Sequence, residues 1–473
     1  MAILPAEGTS FEVTIPVVVI GGGATGLTAA LAAHDAGAEV IVLERDAVPT
    51  GSTSLSSGLI PAVGSRQQRA AGIDDSPELF AADISRKTGG TAPHEMALQV
   101  ARASGPLVDW LADSHGVALD LVTSFLYPGH SALRMHGPEG LTGAHLQQML
   151  LAAVARADID VVTGASVQDL YADAEGRVHG VRFRRPDGAL ETLGCKAVVL
   201  ASCGFAGDPE MVRCHIPEIA DAACCGHLSN TGDAVKWGVA LGAAVADMDS
   251  YQGHGSVAHP HSIPLTWAVI TQGGVLLNSA GKRFSNEMLG YSEHGARVAA
   301  QPGGTVWDVF DSRAEAVGMA FHDFREVGKL GAIKQADTIA ELAAVTGMPA
   351  DAVVAEFDLI AEAAASGKPD RFGRRFSPAE VLQPPYRAVR VSGALFHTQG
   401  GLVIDTQARV QRPDGSALPN LFAGGGAARG LSGTGSGGYL AGNGLLPATV
   451  FGRWAGEGAA RIAADTASEA GAS

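Results

Sequence analysis

The stretch Val17-Val18-Val19-Ile20-Gly21-Gly22-Gly23-Ala24-Thr25-Gly26, continued at Glu39-Val40-Ile41-Val42-Leu43-Glu44-Arg45, decides the fold. An apolar β-branched run ends in glycines, a helical stretch follows from Leu27 to Ala36, and a second apolar run closes on an acid. Gly21 permits the tight turn and Gly23 lets the backbone approach a pyrophosphate. Gly26 lets the helix pack on the strand, with its N-terminus facing the phosphates. Glu44 ends the second strand, where a carboxylate accepts hydrogen bonds from an adenosine ribose. Glycines alone say little, but strand, glycines, helix, strand and terminal acid at this spacing specify a dinucleotide site.

At 473 residues the chain exceeds one ordinary core, so two domains or one large interrupted domain are expected. Its 62 glycines and few aromatics suit an α/β protein with many tight turns around a cofactor. A formal charge of −16 argues against nucleic acid and anionic membrane as partners. No apolar run approaches the ~20 residues that span a bilayer. Met1 to Thr14 carry neither a basic n-region nor a cleavable apolar core, so a cytoplasmic protein is expected. The five cysteines, Cys195, Cys203, Cys214, Cys224 and Cys225, are odd in number and lack a C-x-x-C pair. They read as buried structural thiols, with no disulfide framework, no metal site and no C-x-x-C-H for covalent haem.

Further along, a loop rich in Ser and Gly (Thr50 to Gly58) precedes a helical region from Ser76 to His115 that breaks near Gly89-Gly90. Leu141 to Ala157 reads as a helix and Asp160 to Leu170 as a strand. Val178–Arg185 and Ala189–Leu193 read as a hairpin, and Val198–Ala201 as a buried strand. From about Met248 the character changes to histidines and then alanine-rich helices. A return begins near Pro384-Pro385-Tyr386, with strands at Leu402–Asp405 and Asn420–Ala423, a helix from Gly444 to Ile462 and a frayed tail after Ala463. The expectation is a Rossmann-type α/β cofactor domain in two parts, 1–247 and 380–473, with an inserted α+β capping (substrate) domain at 248–379.

The C-terminal motifs select the dinucleotide. They are Phe396-His-Thr-Gln-Gly-Gly-Leu-Val-Ile-Asp405, Leu418-Pro-Asn-Leu-Phe-Ala-Gly-Gly-Gly426, Gly442-Asn-Gly-Leu-Leu446 and Val450-Phe-Gly-Arg-Trp-Ala-Gly456. With Gly274-Val-Leu-Leu-Asn-Ser-Ala-Gly-Lys-Arg-Phe-Ser-Asn-Glu287 and Ile73-Asp-Asp-Ser76, they resemble the fumarate reductase/succinate dehydrogenase flavoprotein superfamily. The resemblance implies FAD. It also implies cofactor contacts at Gly21, Gly23, Ala24, Thr25, Gly26, Glu44, Arg45, Ser52, Thr53, Ser57, Gly58, Val167, Ala201, Gly204, Gly425, Gly426, Asn443, Leu445 and Leu446. Ser52 to Gly58 offer no histidine for a covalent bond, so the FAD is expected to be non-covalent. Where the superfamily carries an acid after its last strand, this chain has Gly426. A helix starting near Gly444 would aim its positive end at the flavin edge that gains charge on reduction.

Dicarboxylate reductases of this superfamily hold substrate with arginines, one after the Arg-Phe-x-Asn-Glu motif and one before the last helix. This chain has Tyr291 and Tyr439 there. A guanidinium fork matches a carboxylate, whereas a phenol hydroxyl matches a ketone oxygen. The pattern Gly438-Tyr-Leu-Ala-Gly442 resembles the 3-ketosteroid dehydrogenases, the 4-dehydrogenases in particular. That likeness implies a dehydrogenase (desaturase) that forms an enone next to a ketone of a cyclic or steroid-like substrate. Tyr439 and the N–H of Gly442 would polarise the ketone, Tyr291 would move the α-proton, and the β-hydride would go to flavin N5. Ala441 stands where that branch often has serine, and His397 sits in a His-Thr-x-Gly-Gly motif typical of the dicarboxylate branch. The alternative is therefore a fumarate-reductase-like enzyme of a carboxylate, using His397 with Arg134 or Arg429. Tyr127, in the loop Phe125-Leu-Tyr-Pro-Gly-His130, is a further candidate for the catalytic pocket. Bland readings stand beside these: Tyr291 and Tyr127 as packing residues, Tyr439 as support beneath the flavin, and His397 as a hydrogen-bonding neighbour of the site. No second nucleotide fingerprint is present, so the expected electron acceptor is an external carrier such as a quinone, and not NAD(P)⁺.

Overall fold

In the computed structural model of the chain, which describes residues 2–471, Thr14–Ile20 is a central strand of a nine-stranded sheet. It pairs in parallel with Val40–Leu43 on one side and with the end of Leu190–Leu200 on the other. Asp160–Val162 extends the first side and Ala417–Ala423 the second, both in parallel. The C-terminal ends of these strands therefore line up along one crevice, the place where open α/β sheets bind ligands. Val17, Val18 and Val19 are fully buried, as a strand covered on both faces requires. The other end of Leu190–Leu200 turns antiparallel with Val178–Arg184, which pairs in turn with Ser166–Ala172. The strand expected over Asp160 to Leu170 is two strands, because the chain turns at Gly164, whose φ is +62°.

Helix Ala24–Asp35 follows the first strand and packs along the last helix, Leu445–Gly471. The two backbones nearly touch. A Cβ on Gly452 would lie 2.5 Å from the Thr25 carbonyl oxygen, and one on Gly456 would lie 2.1 Å from that of Ala29. A Cβ on Gly26 would lie 1.8 Å from the Gly21 oxygen. The last helix continues past Ala463, where a frayed tail was expected, to Gly471. The helical break expected near Gly89 separates Pro77–Lys87 from His94–His115.

The chain divides into two compact units, residues 1–216, 226–251 and 397–473 in the larger, and residues 217–225 and 252–396 in the smaller. The insertion thus ends at Phe396 and not at Ala379. The apolar run after Pro385, expected to return to the cofactor domain, is strand Tyr386–Thr398. Its first seven residues pair with Thr305–Asp311, and it also takes Lys334–Ala336 and Ala223–Cys224 as partners. The smaller unit is α+β, a seven-stranded and mostly antiparallel sheet with helices such as Ala350–Ser366. Period-two alternation builds a core on each face: Val275, Leu277, Val309 and Ala388 in one, Leu276, Val306, Phe310 and Val389 in the other. All five cysteines are free, but Cys214 is exposed, which corrects its reading as a buried thiol.

The superfamily-like segment Arg283-Phe-Ser-Asn-Glu287 proves to be a structural staple. Arg283 donates to Glu287 at 2.8 and 2.6 Å and to Asp370 at 2.5 Å, while Arg374 reaches Glu287 at 2.9 Å. Burial opposes ionisation of Glu287, yet the two guanidinium groups hold it below the usual carboxylate range.

Two stability predictions follow from this packing. Gly456→Ala forces a methyl into the helix pair and should cost about 1–3 kcal/mol in unfolding experiments. Asp308, buried in the smaller sheet with Ser256 donating to it at 2.6 Å, is pushed up to about 7 by burial. Its contribution to stability is complete below an unfolded pKa near ~3.9 and is lost as pH rises through about 7. Asp308→Asn should therefore lose less melting temperature than the parent between mildly acidic and mildly alkaline pH.

Candidate functional site

The crevice is shaped first by glycines. Gly21 sits at φ +113°, and a Cβ there would lie 2.5 Å from the Ala201 oxygen. Glu44 Oε2 accepts the N–H of Gly22 at 2.7 Å and Oε1 that of Asp46 at 2.8 Å, so the acid read as a ribose ligand also braces the glycine turn. Thr53 Oγ1 accepts the Ala24 N–H at 2.9 Å. Gly23 is roomy by comparison, the nearest neighbour of an added Cβ being Thr53 Oγ1 at 3.4 Å. Thr25 presses on Gly424 and Gly425, and Gly426 on the Gly204 nitrogen. Ser52 accepts from Asn230 Nδ2 at 2.8 Å, and Arg45 donates to the Ser229 oxygen at 2.6 Å, so residues 229–230 cover this end. The Ala165 N–H bonds the Glu44 carbonyl at 2.8 Å, which brings buried Val167 alongside. Gly58 packs on Thr142, while Ser57 is exposed.

The fit to FAD rests on unpaired polarity. Both side-chain atoms of Asn443, which is fully buried, and Oγ of Ser202 have no hydrogen-bond partner among the described residues. Leaving such groups unpaired costs on the order of 1–3 kcal/mol each, so they are built for a ligand rich in donors and acceptors. Ser202 follows the central strand Leu190–Leu200, and Asn443 precedes the last helix with its Leu445 and Leu446.

At that helix start, two side chains of the larger unit converge. A Cβ on Gly444 would lie 3.2 Å from His397 Nε2 and 3.3 Å from Tyr439 Oη, so glycine is what lets both reach this point. Their rings meet edge to face at 5.5 Å. Burial pushes the His397 imidazole down to about 4, against the Thr398 carbonyl, which favours the charged ring. Burial also lifts the Tyr439 phenol far above its ordinary value, with the Gly444 N–H working the other way. Both groups are therefore neutral near pH 7. Tyr439 is carried on a glycine-shaped loop: Gly433 and Gly435 have positive φ, and a Cβ on Gly438 would meet the Ser432 oxygen at 1.8 Å. Gly442, at φ +87°, fits against Pro61. His130 bonds the Ala441 oxygen at 3.0 Å, tying the loop of Tyr127 to this segment. Tyr127 itself packs edge-on against Phe125, and burial pushes it up to about 12.

In the smaller unit, Asn286 caps the short turn Glu287–Leu289, Gly290 follows at φ +129°, and Tyr291 opens helix Tyr291–Ala299. Its ring stacks on His254 at 5.2 Å, with Trp267 edge-on to both. The Ser256 N–H donates to His254 Nδ1 at 3.1 Å, which leaves the proton of that neutral ring on Nε2.

The arginines held in reserve are engaged. Arg134 is 0% exposed at its side chain, donates to Asp75 at 2.9 and 2.8 Å and to Asp83 at 2.6 Å, and lies over the Phe80 ring. It is part of the core, which corrects its reading as a substrate ligand. Arg429 donates Nε–H to Asp247 at 2.6 Å and stays partly exposed. No cluster of three or more metal-ligating side chains occurs among the described residues. No described helix is long and apolar enough to cross a membrane.

The model of the family described as FAD binding domain matches residues 16–445. The chain belongs to this family. A probable fumarate reductase of Shewanella frigidimarina is 31% identical over 458 residues, 96% of this chain and 76% of that protein. These matches place the chain in the fumarate reductase/succinate dehydrogenase flavoprotein superfamily, whose cofactor is FAD. Among solved structures, an open conformation of a flavocytochrome c3 fumarate reductase is similar with a TM-score of 0.82 at 29% identity, covering 97% of this chain and 80% of that one. A 3-ketosteroid-Δ4-(5α)-dehydrogenase from Rhodococcus jostii RHA1, solved with 4-androstene-3,17-dione, is similar at 0.77 and 26%, covering 97% and 100%. The sequence likeness to fumarate reductases runs ahead of the steroid-enzyme likeness, a shift from the emphasis that Tyr291 and Tyr439 give. This chain is an FAD-dependent oxidoreductase.

Asn443→Leu should act in two directions. The apoprotein should melt higher, because two unpaired polar atoms are gone. FAD affinity should drop about tenfold or more, as read by fluorescence titration of the apoprotein.

Proposed function

We propose that this enzyme adds hydrogen to, or removes it from, a carbon–carbon bond conjugated to a carboxylate, in the manner of the fumarate reductases. The convergence of His397 Nε2 and Tyr439 Oη at the Gly444 N–H carries the reading. These donors stand at the positive end of a helix, where an oxygen that gains negative charge during the reaction is stabilised. The likeness to a fumarate reductase over nearly the whole chain supports an acid as substrate. Bound FAD supplies the two-electron chemistry as hydride donor or acceptor. His397 and Tyr439 hold the oxygen of the activating group. Arg429 is the candidate for a positive charge toward a carboxylate, although Asp247 already pairs with it.

A second reading, dehydrogenation of a saturated cyclic ketone to its enone, is favoured by one specific observation. The groups at the convergence point are neutral, and neutral donors match a ketone better than an anion. In either reading the enzyme is expected to be cytoplasmic and to exchange electrons with an external carrier, a quinone or a cytochrome.

Anaerobic mixing distinguishes the two. Reduced holoenzyme should be reoxidised by fumarate or a related unsaturated acid. Bleaching of oxidised holoenzyme by cyclic ketones, with no response to acids in either direction, would replace the first reading by the second, and silence toward both would remove both. With the substrate that responds, Tyr439→Phe should cut turnover about 100-fold at unchanged FAD content, the scale of one lost donor to a developing oxyanion.

A further inference from the structure

We propose that Gln399 and Ser432 are positioning residues that hold His397 in its Nε2–H tautomer, so that the imidazole offers a donor, not a lone pair, at the start of the last helix. The inference rests on the reading of His397 as a substrate contact and goes one step behind it. Ser432, 1% exposed, donates Oγ–H to Gln399 Oε1 at 2.8 Å. That bond leaves the amide nitrogen facing His397 Nδ1 at 3.1 Å. An amide nitrogen carries hydrogens and has no lone pair to share, so Nδ1 accepts. The single proton of the neutral ring then sits on Nε2.

The Gln399 backbone is anchored on both sides, which fixes where its side-chain amide starts. The Gln399 N–H bonds the Ser250 oxygen at 2.8 Å, and its carbonyl accepts the Gly430 N–H at 2.8 Å. Gly430 must be glycine-sized for this, because a Cβ there would lie 2.8 Å from Gln399 Oε1. The competing partner of Nδ1 is the Thr398 oxygen at 3.4 Å, at the outer limit of a hydrogen bond. At the opposite edge of the ring, Nε2 points to the spot shared with Tyr439 Oη and the Gly444 N–H. The Gly444 N–H is directed at the phenol oxygen, and the Nε2–H tautomer adds a second donor at the same helix start. The relay Ser432–Gln399–His397 thus sets the polarity of the imidazole through a glutamine with no charge of its own.

The test reads the tautomer directly. Holoenzyme labelled with ¹⁵N-histidine is examined by long-range ¹H–¹⁵N correlation, and His397 is assigned by the signals that His397→Asn removes. The expected spectrum has a protonated Nε2 and a bare Nδ1. Gln399→Glu replaces the donor by an acceptor and should invert that pattern, with a fall in turnover of about 100-fold or more at unchanged FAD content. Gln399→Met keeps the bulk, offers no hydrogen, and should give mixed tautomers and a loss of roughly tenfold. A parent spectrum with the proton on Nδ1 would overturn the proposal, as would Gln399→Glu or Gln399→Met retaining both the parental pattern and the parental rate. The expected tautomer in an enzyme that turns over neither acids nor ketones would leave the positioning role standing and remove the functional reading instead.

Discussion

The near-contact of two helices is the constraint from which the cofactor site follows. Thr25 and Ala29, one turn apart on the first helix, take Gly452 and Gly456, one turn apart on the last, against their carbonyl oxygens. Side chains at either glycine would push the axes apart, and the N-termini of both helices would leave the crevice with them. Thr25 also fills the space above Gly424 and Gly425, so the same residue that seats the helix pair fixes the end of the strand Ala417–Ala423. Segments separated by some four hundred residues of chain become one site because their backbones, rather than their side chains, are complementary. The aligned dipoles then favour a pyrophosphate at one helix and growing negative charge at the other.

This half of the molecule was legible in the sequence because its determinants are local: glycine spacing, a β-branched run and an acid at a fixed distance. The smaller unit was less legible. Strand Tyr386–Thr398 reads like a return to the cofactor sheet, since an apolar alternating run does not say which sheet it joins; only its long-range pairing with Thr305–Asp311 decides that. The role of Arg283 and Glu287 was hidden for a similar reason. Their spacing of four residues invites a pair, but the partners that make it a buried network, Asp370 and Arg374, lie nearly ninety residues away. Gln399 occupies the variable position of His-Thr-x-Gly-Gly, where nothing in the motif itself marks it. The signal for it is an amide only two residues from a candidate histidine, just past the end of strand Tyr386–Thr398 and near enough in the chain to reach the ring.

Buried ion pairs engage Arg134, one of the two arginines expected to bind a substrate, and also Arg283 of the superfamily-like motif. Arg134 with Asp75 and Asp83, and Arg283 with Glu287 and Asp370, each satisfy the guanidinium on several edges. Removing one partner from such a set is costly because the rest stay charged in a dry place, which makes these residues hard to lend to a substrate. A sequence reading that counts arginines near a motif overestimates the charge free to act. The residues left at the convergence point are a neutral imidazole, a neutral phenol and a peptide N–H.

That inventory bears on how a carboxylate could be bound. A helix end contributes typically 0.3–1 kcal/mol toward an anion, and up to ~2 where partly buried. A bidentate guanidinium gives charge-assisted bonds roughly twice as strong as neutral ones. An acid held by neutral donors alone would therefore bind weakly in the ground state. Those donors would still serve the reaction, because the charge that builds on the activating oxygen during reduction meets dipoles already in place. Weak ground-state affinity combined with strong stabilisation of the developing charge favours turnover over tight binding. The same balance would hold for a ketone as for an acid, so on the proposed reading the His397–Tyr439 pair would respond to the chemistry of the oxygen and not to a count of positive charges.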